Sequence, residues 1–474
     1  MYTRMKRICV LLFSFFVFIA SVQAGPRVLS NSILKKAQGE FVVRENYTLS
    51  GESIKLPRDL RLVFSGGTIN DGTIIGDNNS IEFRQNQPAF GLDITIEGSW
   101  NVQEIKDSWF EFDSSPDFIS NRIISNMLSF SNDSTFCHIS FLEDRIYYFE
   151  LPYKGRPDIG NMVSYKIVDG KKKRSYSEAY NDEYSFLRIF TIPSNTHVTI
   201  NSTLKMLPTN VGAYFVFWEY GKENITIDGS GTIAGDNDWH RYDSPFAGKF
   251  YYGEMGFIFR CFGCKNFTFK DITLSDAFGD CLIYTGSQFS NEKNTRWASE
   301  LTLENVKILN ARRNGVAIGA RDVIIRNCHF EGCGSDEVKG TAPRSAIDFE
   351  PDGIQRYPEI GNQNVLMENC SFKNNHFDVA SYLNNLNDYG RIATTIRNCS
   401  FVSPIKIQGT YWMRFENCRI PFIWNSKDES STLLYSRHLE FINCEFGRFD
   451  NNVRNITARK RNKFTDCSFN TSKQ

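Results

Sequence analysis

The sequence predicts an all-β protein built as a parallel β-helix, a solenoid in which coils of short strands stack on one another. The first observation is a repeated segment of alternating apolar and polar residues that ends in Asn-Cys or Asp-Cys, as in "VIIRNCHF" from 323, "VLMENCSF" from 365 and "NKFTDCSF" from 462. Alternation with a period of two indicates strands with one buried face. The second observation is the irregular spacing of these segments, roughly 20 to 40 residues, which is the range of solenoid repeats. Uneven spacing predicts loops of different length that protrude from the turns, where binding residues are expected.

The Asn or Asp that ends each repeated strand predicts a tight bend, because these residues adopt the left-handed conformation and bond to the local backbone. The Cys that follows recurs at one structural position, at Cys328, Cys370, Cys399, Cys418, Cys444 and Cys467. Equivalent positions of a stacked repeat favour an inward column of small apolar side chains over disulfide pairs. We therefore predict cysteines that are mostly free and buried, and leave Cys261 and Cys264 open.

The N-terminal part differs from the repeats. Residues 1–24 carry Lys6 and Arg7 before an apolar run and a small-residue site, the pattern of a secretory signal peptide. Residues 25–112 contain short strand patterns separated by Gly, Asn and Asp turns, which predicts a small β unit, and residues 113–474 are assigned to the β-helix. Within residues 114–130 an apolar stripe at helical spacing predicts a helix that caps the open end of the solenoid.

Composition limits the partners and the compartment. Lys plus Arg equals Asp plus Glu, at 54 each, so no net charge attracts nucleic acid. No segment after the signal peptide approaches the roughly 20 apolar residues of a membrane span. We expect a secreted or periplasmic protein with no nucleic-acid partner and no membrane span.

The main candidate site is "SAIDFEPDG" at residues 345–353. If Ile347 and Phe349 point into the tube, alternation makes Asp348, Glu350 and Asp352 face solvent on one side of the strand. A solvated acidic strand edge is the plain alternative. The same alternation predicts that the neighbouring coil has only small residues on its outer face, Gly315, Ala317 and Gly319. These residues would leave room for a sugar ring to lie on the sheet, as the floor of a groove.

Strand parity assigns outward residues on the flanking coils as well. With Cys281 and Ile283 inward, Asp280 and Tyr284 face out, and the same alternation exposes Arg260, Asp378 and Tyr382. The backbones of Asp280 and Asp348, two coils apart, should lie roughly 10 to 12 Å from each other. Side chains leaning together would bring the carboxyls into the roughly 6.5 to 9.5 Å window of an inverting glycosidase, and Asp348 with Glu350 is an alternative pair. For Asp280, a structural role in capping a turn competes with catalysis.

A segment rich in aromatic residues, 238–256, precedes these coils and contains Trp239, His240 and Tyr252. Aromatic faces stack on sugar rings, so we expect these residues to line the groove, with His240 also a candidate acid or base. In "ARRNG" at residues 311–315, Arg312 and Arg313 are expected at the groove edge, where they suit anionic sugar groups. A packed hydrophobic loop, a structural histidine and ordinary surface arginines are the alternatives.

The order "GFIFRC", "FGDCLIYTGS", "NGVAIGA", "SAIDFEP" resembles the motifs Asn-Thr-Asp-Gly, Gly-Asp-Asp-Cys, Gly-His-Gly and Arg-Ile-Lys of the polygalacturonases. These form glycoside hydrolase family 28, in the pectate lyase-like superfamily of right-handed parallel β-helices. The resemblance covers four coils, residues 254–352, and implies that fold and a carbohydrate-active enzyme. Asp280 matches an Asp of Gly-Asp-Asp-Cys, Asn314 replaces the His, and Asp348 to Glu350 replaces Arg-Ile-Lys. Loss of the basic pair implies a neutral sugar, or acids that serve catalysis or a metal.

Three functions follow as hypotheses. The first is a glycoside hydrolase acting on a polysaccharide or oligosaccharide, with Asp348, Glu350 and Asp280 as catalytic carboxylates and no cofactor. The second is a polysaccharide lyase or epimerase in which the acidic cluster binds Ca²⁺ and Arg344 or Arg260 serves the elimination. The third is a noncatalytic glycan-binding protein, because a fold does not determine a function.

Overall fold

The computed structural model describes residues 26–470, except 35, 38, 116–117, 143, 152–164, 169–170, 175–186, 210–212, 241–254, 287–295, 352–360, 383–389, 425–435 and 449–460. The signal peptide expected at residues 1–24, and the site candidates Tyr252 and Asp352, lie outside the described residues. No helix in the described part of the chain has the length and apolarity needed to cross a membrane.

The strands of the N-terminal part are β1 (Arg27–Val28), β2 (Glu40–Val43), β3 (Tyr47–Thr48), β4 (Ser53–Lys55), β5 (Arg61–Phe64), β6 (Ile69–Asn70), β7 (Gly72–Phe83), β8 (Ile94–Trp100) and β9 (Glu104–Lys106). The next strands are β10 (Cys137–Phe141), β11 (Ile146–Phe149), β12 (Tyr165–Val168), β13 (Lys171–Arg174), β14 (Leu187–Phe190), β15 (Thr196–Ile200), β16 (Thr203–Met206), β17 (Ala213–Tyr220), β18 (Glu223–Asp228), β19 (Thr232–Ala234), β20 (Met255–Phe262), β21 (Lys265–Lys270), β22 (Thr273–Ser275) and β23 (Leu282–Thr285). The remaining strands are β24 (Ser299–Glu304), β25 (Lys307–Leu309), β26 (Val316–Gly319), β27 (Arg321–Arg326), β28 (His329–Glu331), β29 (Ser345–Phe349), β30 (Gln363–Glu368), β31 (Ser371–Lys373), β32 (Phe377–Tyr382), β33 (Thr394–Arg397), β34 (Ile405–Gln408), β35 (Met413–Glu416), β36 (Arg419–Ile420), β37 (Ile423–Trp424), β38 (Glu440–Ile442), β39 (Glu445–Phe446), β40 (Lys463–Thr465) and β41 (Ser468–Phe469). The helices described are α1 (Asn31–Leu34) and α2 (Asn121–Ser129), with a 3₁₀ turn at Asp107–Trp109.

These strands form the predicted right-handed parallel β-helix. The first sheet has 12 strands in the order β9, β10, β15, β18, β21, β24, β27, β30, β33, β35, β38, β40, the second runs from β11 through β16, β19, β22, β25 and β28 to β31, and the third from β14 through β17, β20, β23, β26, β29, β32 and β34 to β37. Each full coil contributes one strand to each sheet, as β27, β28 and β29 do, and pairs in parallel with the coils on both sides. Parallel strands joined by crossovers are right-handed almost without exception.

Loop length varies mainly around the third sheet. The corner from the first sheet to the second is short, as between Glu304 and Lys307, whereas 13 residues separate Glu331 of β28 from Ser345 of β29. The irregular repeat of the sequence therefore reflects insertions on both sides of one sheet. The third sheet is consequently where the fold offers a varied surface for binding.

The tight corner has the conformation that the Asn residues predict. Asn369, Asn398, Asn417 and Asn443 have φ between 50° and 55°, in the left-handed region. Their amides also form a ladder along the solenoid, in which Asn443 donates to Asn417 at 2.8 Å and Asn417 donates to Asn398 at 3.1 Å. The cysteines that follow are free, and all those described are buried except the half-buried Cys467, which confirms the prediction.

The N-terminal strands also pair in parallel, as β2 does with β5 and β5 with β7. Helix α2 lies against β8, where the Asn126 side chain accepts from the backbone N–H of Ile96 and donates to the carbonyl of Ile94, each at 2.9 Å. The helix thus covers a strand edge, as expected for a cap. The proposed division at residue 112 stays a prediction, and β9 pairs directly with β10 of the first sheet across it.

Candidate functional site

The outer face of the third sheet carries the candidate site. Strand register aligns one outward column of residues across successive coils: Trp218, Arg260, Ile283, Ala317, Asp348, Ala380, Lys406 and Trp424. Charged residues occupy three positions of this column, and small residues flank Asp348 on both sides.

Asp348 lies on the outer face of β29, as alternation predicts, because Ile347 and Phe349 are completely buried on the opposite face. The expectation that Asp348 faces solvent is wrong, since only 1% of it is exposed. Glu350, just beyond the strand, is half-buried. Burial, reinforced by the Glu350 carboxyl, raises the pKa of Asp348 well above its ordinary value. This shift favours the protonated form of Asp348, which lies beside a second carboxyl.

Asp280 and Arg313 form an ion pair at the turn that enters this sheet. Arg313 Nη1 donates to Asp280 Oδ2 at 2.7 Å, and the backbone N–H of Asn314 donates to Oδ1 at 3.0 Å. The Asp280 side chain is completely buried, so its predicted exposure is wrong, whereas Arg313 reaches the site as predicted and keeps 19% of its side chain exposed. Burial raises the pKa of Asp280 to about 6 against the opposing charge of Arg313. Asp280 is thus ionised above that pH.

Asn314 connects the two buried acids. Its Nδ2 lies 3.5 Å from Asp280 Oδ2 and 3.4 Å from Asp348 Oδ2. Its Oδ1 accepts from the backbone N–H and the hydroxyl of Ser345, both at 3.1 Å, which holds the amide in this orientation. Asp280 Oδ2 and Asp348 Oδ2 are therefore at most 6.9 Å apart, because both lie within these distances of the same nitrogen. That limit reaches only the lower end of the roughly 6.5 to 9.5 Å separation typical of inverting glycosidases.

Lys406 is a charged group of the site that the sequence reasoning missed. It follows Asp348 on the same column, with only Ala380 between them. Its Nζ lies 5.3 Å from the ring centroid of Trp424 and 5.9 Å from that of Phe377. Partial burial lowers the pKa of Lys406, while attraction to Asp348 and Glu350 opposes that change. Alternation in "IKIQ" at residues 405–408 could have found this lysine, because both isoleucines are buried.

Arg260 points outward as predicted but is packed among rings. Its guanidinium carbon lies 4.3 Å from the ring centroid of Phe262, 4.5 Å from that of Phe215 and 4.7 Å from that of Trp218. Only 9% of the residue is exposed. Stacking of this kind favours a guanidinium over an ammonium group. Arg260 therefore forms a cationic, aromatic wall on the N-terminal side of the acids.

The predicted orientation of Tyr284 is wrong. Cys281 and Leu282 are consecutive and both fully buried in the core, so alternation shifts by one residue and Tyr284 points inward. Its hydroxyl lies 2.7 Å from the carbonyl of Ser299 and 2.9 Å from that of Cys264, which it can serve as donor. Ile283, expected inside, faces out. Tyr284 is a core residue.

The predicted sugar floor is also wrong. A Cβ on Gly315 would lie 2.5 Å from the Ala346 carbonyl oxygen and 2.9 Å from a methyl group of Ile308, which is in the core. A Cβ on Gly319 would lie 2.6 Å from Cα of Pro351. Gly315 thus faces inward and Pro351 covers Gly319, which leaves Ala317 as the small outward residue beside Asp348.

Asp378 does not face the groove. It is fully buried and accepts from the backbone N–H groups of Val402 and Ser403 at 2.6 and 2.7 Å, and from Asn375 Nδ2 at 3.0 Å. Burial raises its pKa to about 6 despite these donors. Asp378 therefore stabilises the turn that contains Val402 and Ser403. Tyr382, by contrast, is 40% exposed on the outward face as predicted.

Three other residues that were predicted to line the groove lie elsewhere: Arg312, His240 and Trp239. Arg312 is buried rather than at the groove edge, with its guanidinium 4.6 Å from the ring centroid of Phe278 and a hydrogen bond to the Lys339 carbonyl. His240 is also buried, with its Nδ1 2.8 Å from Asp236 and its ring stacked on the same Phe278 ring.

Trp239 lies against β16 of the second sheet rather than in the groove. Its indole N–H donates to the Met206 carbonyl at 3.1 Å, and Lys205 Nζ lies 5.0 Å from its ring centroid. Its ring is 37% exposed. Among the described residues, no group of three or more His, Cys, Asp or Glu side chains is arranged to hold a metal ion.

No known protein-family model matches the chain. The uncharacterized Bacillus subtilis protein YclG is 31% identical over 206 residues, which is 42% of this chain and 33% of the relative. The SPbeta prophage-derived uncharacterized protein YorA of the same species is 24% identical over 189 residues, 39% of this chain and 31% of the relative. Each match therefore spans about a third of the relative's length.

Two solved structures illustrate the structural likenesses. The tailspike protein of E. coli bacteriophage HK620, solved with a pentasaccharide, is 12% identical with a TM-score of 0.35, over 73% of this chain and 67% of the tailspike chain. The A-module of a mannuronan C-5 epimerase from Azotobacter vinelandii is 11% identical with a TM-score of 0.34, over 78% of this chain and 98% of the module. At these scores the fold assignment rests on the strand pairing of this chain itself.

Proposed function

We propose that the protein is a carbohydrate-active enzyme that hydrolyses a glycosidic bond in a polysaccharide or oligosaccharide held along the outer face of the third sheet. The observation that carries the proposal is the pair formed by Asp348 and Glu350, in which one carboxyl is buried, which raises its pKa, beside another that reaches the surface. Glycoside hydrolysis needs such an acid and a base within one site.

The burial of each carboxyl supports a distinct role. Asp348 supplies the proton for the leaving oxygen, and the half-buried Glu350 activates water at the edge of the site. Asp280, ionised and paired with Arg313, orients Asn314 between the acids. The exposed ring of Tyr382 and the ring of Trp424 suit contact with sugar faces. The signal-peptide pattern at residues 1–24 supports a secreted or periplasmic location.

The test is a polysaccharide panel with analysis of the products. Wild-type protein should release reducing ends from at least one glycan, and Asp348→Asn and Glu350→Gln should each lower the rate by at least 10²-fold, the usual contribution of a general acid or base. The matched control is Glu445→Gln, which removes a carboxyl that is 62% exposed on another face of the solenoid. Full activity in both site variants would reject the assignment, and an unsaturated product would identify a lyase instead.

The burial of Asp280 and Asp348 favours a second candidate, a noncatalytic glycan-binding protein, because buried acids reach a substrate poorly. That candidate predicts binding without cleavage of any glycan in the panel. Tyr382→Ala would then weaken glycan binding, whereas Asp348→Asn would leave it unchanged.

A further inference from the structure

The corner that joins β20 to β21 carries two cysteines outside the repeated column. Cys261 lies at the end of β20, Cys264 directly precedes β21, and only Phe262 and Gly263 separate them. Both thiols are free, completely buried and part of the hydrophobic core. Gly263 has a φ of 60°, so the chain turns sharply between the two cysteines. Side chains that enter the interior from the two sides of one sharp corner converge, as the two Cβ atoms of a disulfide must.

The contacts of the Cys264 thiol place it beside Cys261. Its Sγ lies 3.4 Å from the carbonyl oxygen of Glu219, to which it can donate. Glu219 is the register partner of Cys261 on the adjacent strand β17. The thiol of Cys264 therefore reaches across the corner to the strand pair that contains Cys261. Burial, followed by a direct interaction with the Cys264 thiol, raises the pKa of Cys261.

The preceding coil has the same corner with different side chains. Gly221 has the φ of 60° that Gly263 has, and Glu219 and Lys222 occupy the positions of Cys261 and Cys264. The Lys222 charge acts on the buried Glu219 carboxyl. On both coils the first and fourth residues of this corner are thus close enough to interact.

The cysteines of the repeated column are arranged differently. Cys370 and Cys399 occupy equivalent positions on adjacent coils, which pair in register, and their thiols are neighbours. Equivalent residues of adjacent strands lie about 4.8 Å apart with parallel side chains, which exceeds the roughly 3.8 Å between the Cβ atoms of a disulfide. Each thiol also donates to a carbonyl of its own coil, at 3.3 Å in both cases. The column therefore favours free thiols, whereas the corner favours a bridge.

We propose that Cys261 and Cys264 form a disulfide, which fixes the corner directly after Arg260 when the chain folds in an oxidising compartment. The secreted or periplasmic location proposed above is of this kind. Because both thiols are inaccessible once buried, the bond forms before the corner closes. The bridge goes beyond the proposed function and does not depend on it.

The oxidant is an external disulfide, either of a small thiol or of a thiol oxidase. The thiolate of one cysteine attacks this disulfide and releases one of its sulfurs as a thiol. The thiolate of the other cysteine then attacks the mixed disulfide and releases the second. The two cysteines lose two electrons and two protons, the sulfur–sulfur bond of the oxidant is broken, and its two sulfurs leave as thiols.

The first experiment is peptide mapping of the full chain exported to the periplasm of a bacterial host. Cells are lysed in denaturant with iodoacetamide, which alkylates every free thiol, and the purified protein is digested with trypsin. Cleavage after Arg260 and Lys265 leaves both cysteines in the peptide "CFGCK", which contains no other thiol-bearing segment. We expect this peptide to be unalkylated and two hydrogen atoms lighter than its reduced form, with Cys370 and Cys399 alkylated.

The matched control is the same chain exported in a host that lacks its periplasmic thiol oxidase, where the peptide should carry two alkyl groups. Two alkyl groups on the peptide from the normal host would overturn the proposal. Bridges among the column cysteines, with Cys261 and Cys264 alkylated, would overturn it as well.

The second experiment measures the effect of the bridge on thermal unfolding. Wild-type protein from the normal host should have a Tm roughly 2 °C above that from the oxidase-deficient host, because a bridge that closes a short loop stabilises modestly. The double variant Cys261→Ala/Cys264→Ala should have one Tm from both hosts, whereas the control Cys370→Ala/Cys399→Ala should keep the difference. A host-dependent Tm that persists in Cys261→Ala/Cys264→Ala would contradict the bridge. If that variant does not fold, the peptide map of the wild type still decides.

Discussion

Arg313 and Asp280 form an ion pair of 2.7 Å in which the carboxylate is completely buried and the guanidinium partly exposed. The pair connects two coils, because Arg313 follows the turn of one coil and Asp280 precedes β23 of the coil before it. The same carboxylate accepts the backbone N–H of Asn314. One side-chain charge thus holds the segment that places the Asn314 amide between two acids.

Removing that cation should make stability strongly dependent on pH. The folded pKa of Asp280, about 6, is above its ordinary value, so the folded state binds the proton better and stability falls as pH rises from about 4 to 6. Arg313→Met raises the folded pKa further, because it removes the opposing charge. We expect a loss of roughly 3 kcal/mol in the free energy of unfolding at pH 8 and little loss at pH 4, measured by urea denaturation. Arg419→Met, which breaks an exposed pair of 3.9 Å, should cost less than about 0.5 kcal/mol at both values. A loss that did not depend on pH would show that Asp280 is not the titrating partner.

Asp378 should matter for stability and not for glycan binding. Asp378→Asn replaces one acceptor oxygen with an NH2 group, which cannot accept from Val402 and Ser403 in one orientation or from Asn375 in the other, so about 1 to 3 kcal/mol should be lost. Denaturant unfolding measures this cost. Asp322→Asn, at an exposed position of β27, serves as the control and should be nearly neutral, because asparagine keeps an oxygen for the Asn364 amide. Weaker glycan binding with unchanged stability would contradict the structural role.

Substitutions of Tyr284 and Tyr382, both predicted for the candidate site, should affect two different properties of the protein, stability and glycan binding. Tyr284→Phe removes a buried hydroxyl that can donate to a backbone carbonyl, and should cost about 1 kcal/mol without changing glycan affinity. Tyr382→Ala removes an exposed outward ring and should weaken glycan binding by roughly 1 kcal/mol or more without changing stability. Unfolding curves and glycan titrations of both variants test this. If Tyr284→Phe weakened glycan binding and Tyr382→Ala lowered stability instead, the inward position of Tyr284 would be contradicted.

The ladder of Asn amides at the tight corners predicts that alanine and glycine at position 417 lower the free energy of unfolding by different amounts. Asn417 has a φ of 52° and joins Asn398 and Asn443 through its amide. Asn417→Ala loses both hydrogen bonds and strains the backbone, whereas Asn417→Gly loses the bonds but accepts the φ. We expect alanine to be the more destabilising by about 1 kcal/mol, by urea denaturation. Equal losses would show that the ladder, rather than the backbone conformation, selects Asn.

Alternation of apolar and polar residues correctly predicted which side chains point inward and which point outward in the regular strands. In β29 it placed Ile347 and Phe349 inside and Asp348 outside, and the structure agrees. It failed in β23, because Cys281 and Leu282 both point inward and nothing in the local pattern marks the irregularity. The outward residues Arg260 and Tyr382 were predicted correctly, and Lys406 was missed although the same rule would have identified it.

The repeat, the tight Asn corners and the free cysteines could be predicted from the sequence alone, since each recurs at the equivalent position of successive coils and is therefore visible as a repeated pattern. Burial of the acids was decided only by the tertiary structure. The charges of Asp280 and Asp348 depend on burial and on Arg313, and this arginine belongs to the coil after that of Asp280 and meets both acids only when register aligns the coils. Alternation specifies the side of the strand from which a carboxyl emerges, whereas its solvation and its counter-charge are set by neighbours distant in the chain.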